Sequence, residues 1–307
     1  MSNYELRITN YDGVAARNIA RDMLSRELLT AWLADYPGLP VAKPRNVFII
    51  MAGNIPFVGM HDLVCVLVAG HRAIVKPSSR DRKNMEWVVA QLLAIDPHTP
   101  VSIAHGECAP DAVIAMGSDA TIAAIAASHA RIPTLLRGNR SSLAVLTGRE
   151  TTAELEGLAD DVLMYSGLGC RSVSLVWMPR GYDFGSLVEV LRRREGTLPE
   201  TWRGSFRQTR ALMQMTAAPH IDTGAALLTK SRDFAQSPGT LNYTFYDTPT
   251  EITEWLKEHN EQIQCVATNH SSLITDHSRA TRLGQAQHPG LTDYPDGCDT
   301  MQFLKTI

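Results

Sequence analysis

Three short segments carry side chains whose type and placing could do chemistry. Ala52-Gly53-Asn54-Ile55-Pro56 sets an amide side chain between an apolar run and a helical one. Lys76-Pro77-Ser78-Ser79 sets a cation and two hydroxyls after the apolar Ala73-Ile74-Val75. Ser166-Gly167-Leu168-Gly169-Cys170-Arg171 sets a thiol beside a guanidinium in a glycine-rich turn. A thiol becomes a nucleophile as its thiolate, which an adjacent cation favours. Each segment also has a plain structural reading. Asn and Gly ahead of a helix cap it, Lys-Pro-Ser makes a surface loop, and a lone cysteine is more often a small buried apolar group.

The elements that must position these residues alternate between strand and helix. After a helical opening at 14–34, Pro37, Gly38 and Pro40 mark a loop. Strands are expected at 46–51, 73–75, 101–104 and 112–116, with helices at 56–69, 81–95 and 119–128. This alternation predicts an α/β fold with a doubly wound parallel sheet, whose ligands bind beyond the carboxyl ends of the strands. The loops after Met51, Val75 and Met116 are therefore the ones to watch. A second alternating block follows: strand 142–146, helix 151–164, the Gly167–Cys170 turn, strand 172–177 and helix 184–194. Residues 196–207 read as loop, 251–261 as helix and 265–268 as strand. The final stretch, rich in Gly, Pro and Asp, reads as an irregular return segment.

Bulk properties narrow the function classes. The 307 residues are 44% hydrophobic and 20% charged, as in soluble globular proteins. A formal charge of -3 argues against nucleic acid or an anionic membrane as the main partner. No apolar run approaches the roughly 18 residues of a membrane span. The first residues lack the basic and apolar regions of a secretory signal. Five scattered cysteines with no CxxC pair give neither a zinc site nor a disulfide framework. The histidines form no His-x-x-x-His pair, so no metal is expected, and a reducing cytoplasm fits best. His61 and Cys65 read as core, and Arg192, Arg193 and Arg194 as a solvated helix end, with docking of a carrier protein the alternative.

In their order along the chain, these segments resemble the aldehyde dehydrogenase superfamily. Gly53-Asn54-Ile55-Pro56 is similar to its Asn-Phe-Pro turn, and Ala69-Gly70 through Lys76-Pro77-Ser78 to its Ala-Gly-Asn-x-x-x-x-Lys-Pro-Ser. Ala115-Met116-Gly117-Ser118 matches a Phe-Thr-Gly-Ser turn, and Gly138-Asn139-Arg140-Ser141 stands where Gly-Gly-Lys-Ser is usual. His61-Asp62, the Gly167–Arg171 turn and the tail Leu283-Gly284-Gln285-Ala286-Gln287 look like one branch, the fatty acyl-CoA reductases of bacterial bioluminescence. The resemblance runs from Asn46 to the C-terminus.

The resemblance implies an NAD(P)-binding Rossmann-like domain with the N-terminal segment at 1–145, a catalytic thiol domain at 146–275, and a return or oligomerisation segment at 276–307. It implies that Cys170 is the nucleophile that accepts an acyl group from a thioester. Asn54 matches the residue that, with the Cys170 N–H, holds the developing oxyanion. Lys76 matches the lysine that contacts the adenine ribose, and Ser78, Ser79, Gly117 and Ser118 line the cofactor site. Two departures matter. Leu136 stands where aldehyde-oxidising members have the Glu that activates water, so the acyl-enzyme resists hydrolysis and stays available for reduction. Ser79, with Arg80 and Arg82 nearby, stands where NAD-preferring relatives have a Glu, so NADPH is favoured. The expected reaction reduces an acyl-CoA or acyl-carrier-protein thioester to an aldehyde. Its alternatives are a CoA-acylating aldehyde dehydrogenase running oxidatively and a non-reducing acyl-holding subunit of a multienzyme complex. An acyl-activating enzyme is the expected partner, and homo-oligomers are usual in the superfamily.

Overall fold

A computed structural model of the chain describes residues 10–106, 108–274 and 279–307. These fall into two compact units. One comprises the described residues up to Asn139 together with Gly290–Ile307, and the other Arg140–Pro289.

In the first unit, two helices open the chain, α1 (Asn10–Asp22) and α2 (Arg26–Ala34). They replace the single helix expected at 14–34, because the Ser25 hydroxyl accepts the Leu28 N–H and starts a new N-terminus. Then come β1 (Asn46–Ile50), α3 (Met60–Val68), β2 (Arg72–Lys76), α4 (Arg82–Ile95), β3 (Val101–Ile103), β4 (Ala112–Met116), α5 (Asp119–Ser128) and β5 (Thr134–Arg137). The sheet runs β3-β2-β1-β4-β5 with every pair parallel. Its order reverses between β1 and β4, which is where a doubly wound sheet opens a crevice. Val47, Ile49, Val113, Ile114 and Ala115 are fully buried, as strands covered on both faces must be. α3 begins at Met60 instead of Pro56. Phe57 takes a left-handed conformation (φ 57°) that breaks the turn, and its N–H is donated to the buried Asp81 carboxylate at 2.9 Å. The C-terminal helix (Thr300–Thr306) packs against α3.

The second unit holds β6 (Ser141–Val145), α6 (Thr152–Leu163), β7 (Val173–Pro179), α7 (Gly185–Arg193), α8 (Glu200–Met215), β8 (Ile221–Asp222), β9 (Leu227–Lys230), β10 (Thr240–Tyr246), α9 (Pro249–Glu258), β11 (Ile263–Ala267) and β12 (Ala280–Thr281). Its sheet runs β12-β11-β6-β7-β10-β9-β8, parallel except for β8 against β9. One face packs on α6, α7 and α8 through Leu158, Val162, Leu187, Leu191 and Trp202. The other packs on α9 through Trp177, Trp255 and Leu256.

The division differs from the sequence-based one in two places. β6 pairs with β7 and β11, so the chain leaves the first unit after Asn139 and not after Val145. The return segment divides too: its described residues up to Pro289 belong to the second unit, and those from Gly290 to the first. Residues 196–207 are not a loop. Most of them form the start of α8, whose Trp202 and Phe206, four residues apart, bury one face.

Candidate active site

The carboxyl ends of β1, β2 and β4 bring together the sequence-predicted residues of the first unit. Ile50 is in register with Lys76 on one side and Ala115 on the other, so the three chains leave the sheet at one level. The Met51 N–H is donated to the Lys76 carbonyl at 3.0 Å, which ties the first loop to the second. A Cβ on Gly53 would lie 2.3 Å from Ser78 Oγ, so only glycine lets these loops touch. Asn54, Lys76 and Ser79 are exposed on this rim, and Ser78 is half-buried. Gly117 and Ser118 follow β4 and begin α5. The Ser118 hydroxyl caps that helix, accepting the Thr121 N–H at 3.3 Å. Of the two arginines near Ser79, Arg82 pairs with Glu86 one turn along α4 at 3.2 Å, whereas Arg80 is exposed and in the loop itself. An exposed lysine, hydroxyls, an amide and the first N–H groups of α5 beside a topological switch point form a donor set that fits a nucleotide cofactor.

Cys170 belongs to the second unit, in the turn that leads into β7. The Ser172 N–H is donated to the Gly169 carbonyl at 3.0 Å, closing a turn with Cys170 and Arg171 at its centre. Cys170 is half-buried, whereas Cys65 and Cys265 are buried and Cys108 and Cys298 exposed. Burial pushes the Cys65 thiol well above its ordinary range, which makes it inert. The approach to Cys170 is strained. Tyr165, Ser166 and Gly167 take left-handed conformations in succession (φ 53°, 58° and 65°), a cost of about 1–3 kcal/mol for each non-glycine residue. α8 holds this backbone in place. Its Trp202 ring lies against Gly167, where a Cβ would approach to 2.6 Å, and Thr201 Oγ1 shares a hydrogen bond of 2.6 Å with Ser166 Oγ. Residues 200–215 thus buttress the thiol turn.

Several residues of this architecture gave no local signal in the sequence. Ser142, fully buried on β6, donates its hydroxyl to the Cys170 carbonyl at 2.8 Å and accepts the Cys265 N–H at 3.1 Å. Asp161, fully buried on α6, accepts the N–H groups of Gly284 and Ala286 at 2.7 and 3.0 Å. Burial pushes its carboxyl up to about 7 against the pull of those two bonds. In the first unit, Arg137 is buried with Asp62, its Nη1 2.8 Å from both carboxylate oxygens and its Nη2 2.6 Å from Thr300 Oγ1. Leu136 beside it packs on the apolar cluster of Phe48, Val113 and Ala115. His61 is a core histidine, its Nε2 2.9 Å from the Leu291 carbonyl. Arg193 pairs with Glu156 and Glu189, and Arg194 with Asp160, so the basic run is largely neutralised in place.

A family model described as acyl-CoA reductase (LuxC) matches residues 12–203. The chain belongs to this family. The match takes in the described residues of the first unit's sheet and the Cys170 turn with β7 and α7. Among curated relatives, a long-chain acyl-protein thioester reductase 2 of Photobacterium leiognathi is 25% identical over 207 residues, which is 59% of this chain and 43% of the relative. A long-chain acyl-protein thioester reductase of Photobacterium phosphoreum is 24% identical over 204 residues, 59% of this chain and 42% of the relative. The aligned part thus spans less than half the length of these relatives.

Solved structures give the fold. A putative aldehyde dehydrogenase from Burkholderia cenocepacia superposes with a TM-score of 0.59 at 15% identity, over 86% of this chain and 72% of that one. The aldehyde dehydrogenase of Mycobacterium tuberculosis complexed with NAD+ gives 0.58 at 16% identity, over 76% and 60%. The LuxC-family chain is aldehyde dehydrogenase-like in fold, as its sequence motifs led us to expect.

Proposed function

We propose that this LuxC-family protein reduces an acyl thioester to an aldehyde with NADPH, through an acyl group carried on Cys170. One observation carries the reading: within the segment matched to the family, Cys170 is a half-buried thiol in a hydrogen-bonded turn held by buried polar side chains. The thiolate attacks the thioester carbonyl and the carrier thiol leaves, so one thioester replaces another at little energetic cost. The cofactor, when bound, supplies the hydride to the acyl carbon. Collapse of the resulting thiohemiacetal oxyanion re-forms the Cys170 thiolate and frees the aldehyde.

The remaining roles follow the resemblance. Asn54 donates its amide to the acyl oxygen, a contact whose loss typically costs about a hundredfold to a thousandfold in turnover. Lys76 and Ser79 take the adenosine ribose. Arg80 takes the 2′-phosphate, since Arg82 is engaged with Glu86. Gly117 and Ser118 present the start of α5, and Ser78 holds the loop that carries Asn54 against β2. Leu136 supplies no base for water, which favours reduction over hydrolysis. The names of the relatives support an acyl group delivered on a protein; an acyl-activating enzyme upstream and a homo-oligomeric assembly are carried over from the superfamily by analogy. No helix among the described residues is long and apolar enough to cross a membrane.

The test is NADPH oxidation with a panel of acyl-CoA and acyl-protein thioesters, comparing wild type with Cys170→Ala. Aldehyde release that vanishes in the variant is the expected result. Uptake of the acyl group on Cys170 with NADPH untouched would replace this reading with an acyl-holding subunit.

A further inference from the structure

The tail Leu283-Gly284-Gln285-Ala286-Gln287 has no part in the chemistry above, yet it is irregular chain held by several buried hydrogen bonds. Asn269 Oδ1 accepts the Leu283 N–H at 3.1 Å, and Asn269 Nδ2 is held in turn by Glu154 at 2.6 Å. Asp161 receives the N–H groups of Gly284 and Ala286, one on each carboxylate oxygen. The backbones of Gly284 and Gly157 lie so close that a Cβ on Gly157 would come within 3.0 Å of Gly284 Cα and N. These contacts press the tail onto α6 and orient its last residue. Gln287 is 6% exposed, and its amide nitrogen is donated in two directions, to the Asp161 carbonyl at 3.2 Å and to Ser172 Oγ at 3.1 Å.

Ser172 closes the turn around Cys170 through its own N–H. One end of that turn is therefore fixed by Gln287, while the Cys170 carbonyl is fixed by Ser142. Two buried side chains, from segments 145 residues apart in number, grip the backbone on either side of one reactive thiol. A turn that merely connected α6 to β7 would need no such hold, because the Gly169–Ser172 hydrogen bond already satisfies it.

We propose that residues 283–287 form a strap that positions Cys170, with Gln287 as the positioning residue and Asp161 as its anchor. The proposal deepens the reductase reading and rests on it for its kinetic arm. By gripping Ser172, the strap fixes the direction in which the Cys170 thiol and the acyl group it carries are presented. A displacement of about 1 Å in such a group costs on the order of a hundredfold in rate.

The variants are Gln287→Leu, which keeps volume and removes the donor, and Ser172→Ala, which removes the acceptor, alone and together, with Ser172→Thr as the conservative variant. Two readouts are taken on the full chain. The first is the rate constant for alkylation of Cys170 by iodoacetamide across pH, with the modified residue identified by mass spectrometry; it needs neither substrate nor cofactor. The second is kcat and KM for the thioester that wild type reduces. The strap predicts alkylation shifted at least about threefold, and kcat lowered about ten- to a hundredfold with KM within about threefold. The double variant should be no worse than the worse single one, because both break the same bond, and Ser172→Thr should recover most of the loss. Alkylation and kcat unchanged in Gln287→Leu would overturn the strap. So would losses that merely follow a fall in melting temperature, with the folded fraction alkylated at the wild-type rate. Failure of wild type to reduce any thioester sinks the reductase reading alone, and the alkylation series still decides the strap.

Discussion

The buried pair in the first unit allows a sharp test of how its C-terminal segment is held. Arg137 and Asp62 are 2% and 1% exposed, and both carboxylate oxygens lie 2.8 Å from Nη1. Burial opposes the charge on Arg137, and Asp62 outweighs it, keeping the guanidinium firmly protonated. Replacing Asp62 by alanine leaves a cation in the interior that keeps its bond to the Thr300 hydroxyl and the weaker pull of Asp296. The loss of one partner from such a pair costs about 3–5 kcal/mol. Removing both is different. Nε of Arg137 is already buried without an acceptor, a penalty of about 1–3 kcal/mol that the wild type carries and an apolar pair would not. Arg137→Met with Asp62→Leu should therefore come within about 1 kcal/mol of wild type, or exceed it. Because the chain has two units, a single melting curve mixes their transitions. Amide exchange at Val113, Ile114 and Ala115 on β4 reports the first unit alone. An Asp62→Ala cost below about 1 kcal/mol at these amides would refute the argument, since a pair that cheap to break must already be solvated. Equal costs for the single and double replacements would refute it as well.

Two further outcomes follow from the second unit. Gly167→Ala must place a Cβ at positive φ and 2.6 Å from the Trp202 ring; a loss of about 2–4 kcal/mol, read by amide exchange at Leu175 and Val176 on β7, is expected from left-handed strain and overpacking combined. Asp161 binds its proton more tightly folded than unfolded, with the carboxyl moved from 3.8 to about 7, so it makes stability fall as pH rises from about 4 to about 7. Between pH 5.5 and 8 that is about 2 kcal/mol, and the gap between wild type and Asp161→Asn should narrow by this amount as pH rises; parallel curves for the two would contradict it.

The sequence was most legible where period and punctuation are local. β1, β4 and α5 lie within a residue of their expected bounds, because apolar runs flanked by Pro, Gly and Ser mark both ends. α6 starts within a residue of its expected bound, and in the structure Thr151 and Glu154 form the capping box there. Misses arose where the signal was weak or the stretch unpunctuated. α8 carries Trp202 and Phe206 at helical spacing, but its arginines and glycine give a polar appearance, and its first half, within 196–207, reads as loop. β9 and β10 have no counterpart among the expected strands. The placing of Asn54, Lys76, Ser78, Ser79, Gly117 and Ser118 beyond the sheet is legible because they follow recognisable strands. Ser142 and Asp161 carry no local signal, and Gln287 carries only that of its motif, because each has its partner far along the chain: Gln287 reaches Ser172 across 115 positions.

The unit boundary shows how one missed strand distorts the rest. β5 ends at Arg137 and β6 starts at Ser141, with only Gly138, Asn139 and Arg140 between. Two neighbouring parallel strands of one sheet need a crossover of about a dozen residues or more. Three residues cannot make that return; they would suit an antiparallel hairpin, but β6 instead enters another sheet, beside β7 and β11. In a sheet that is parallel throughout, Thr134-Leu135-Leu136-Arg137 as a strand puts the boundary at Asn139. That strand sets Leu136 against an apolar cluster and its last side chain, Arg137, against a buried anion. Asp62, on the helix that follows β1, is that anion, so the His61-Asp62 pair that marked the family resemblance is half of the first unit's central ion pair.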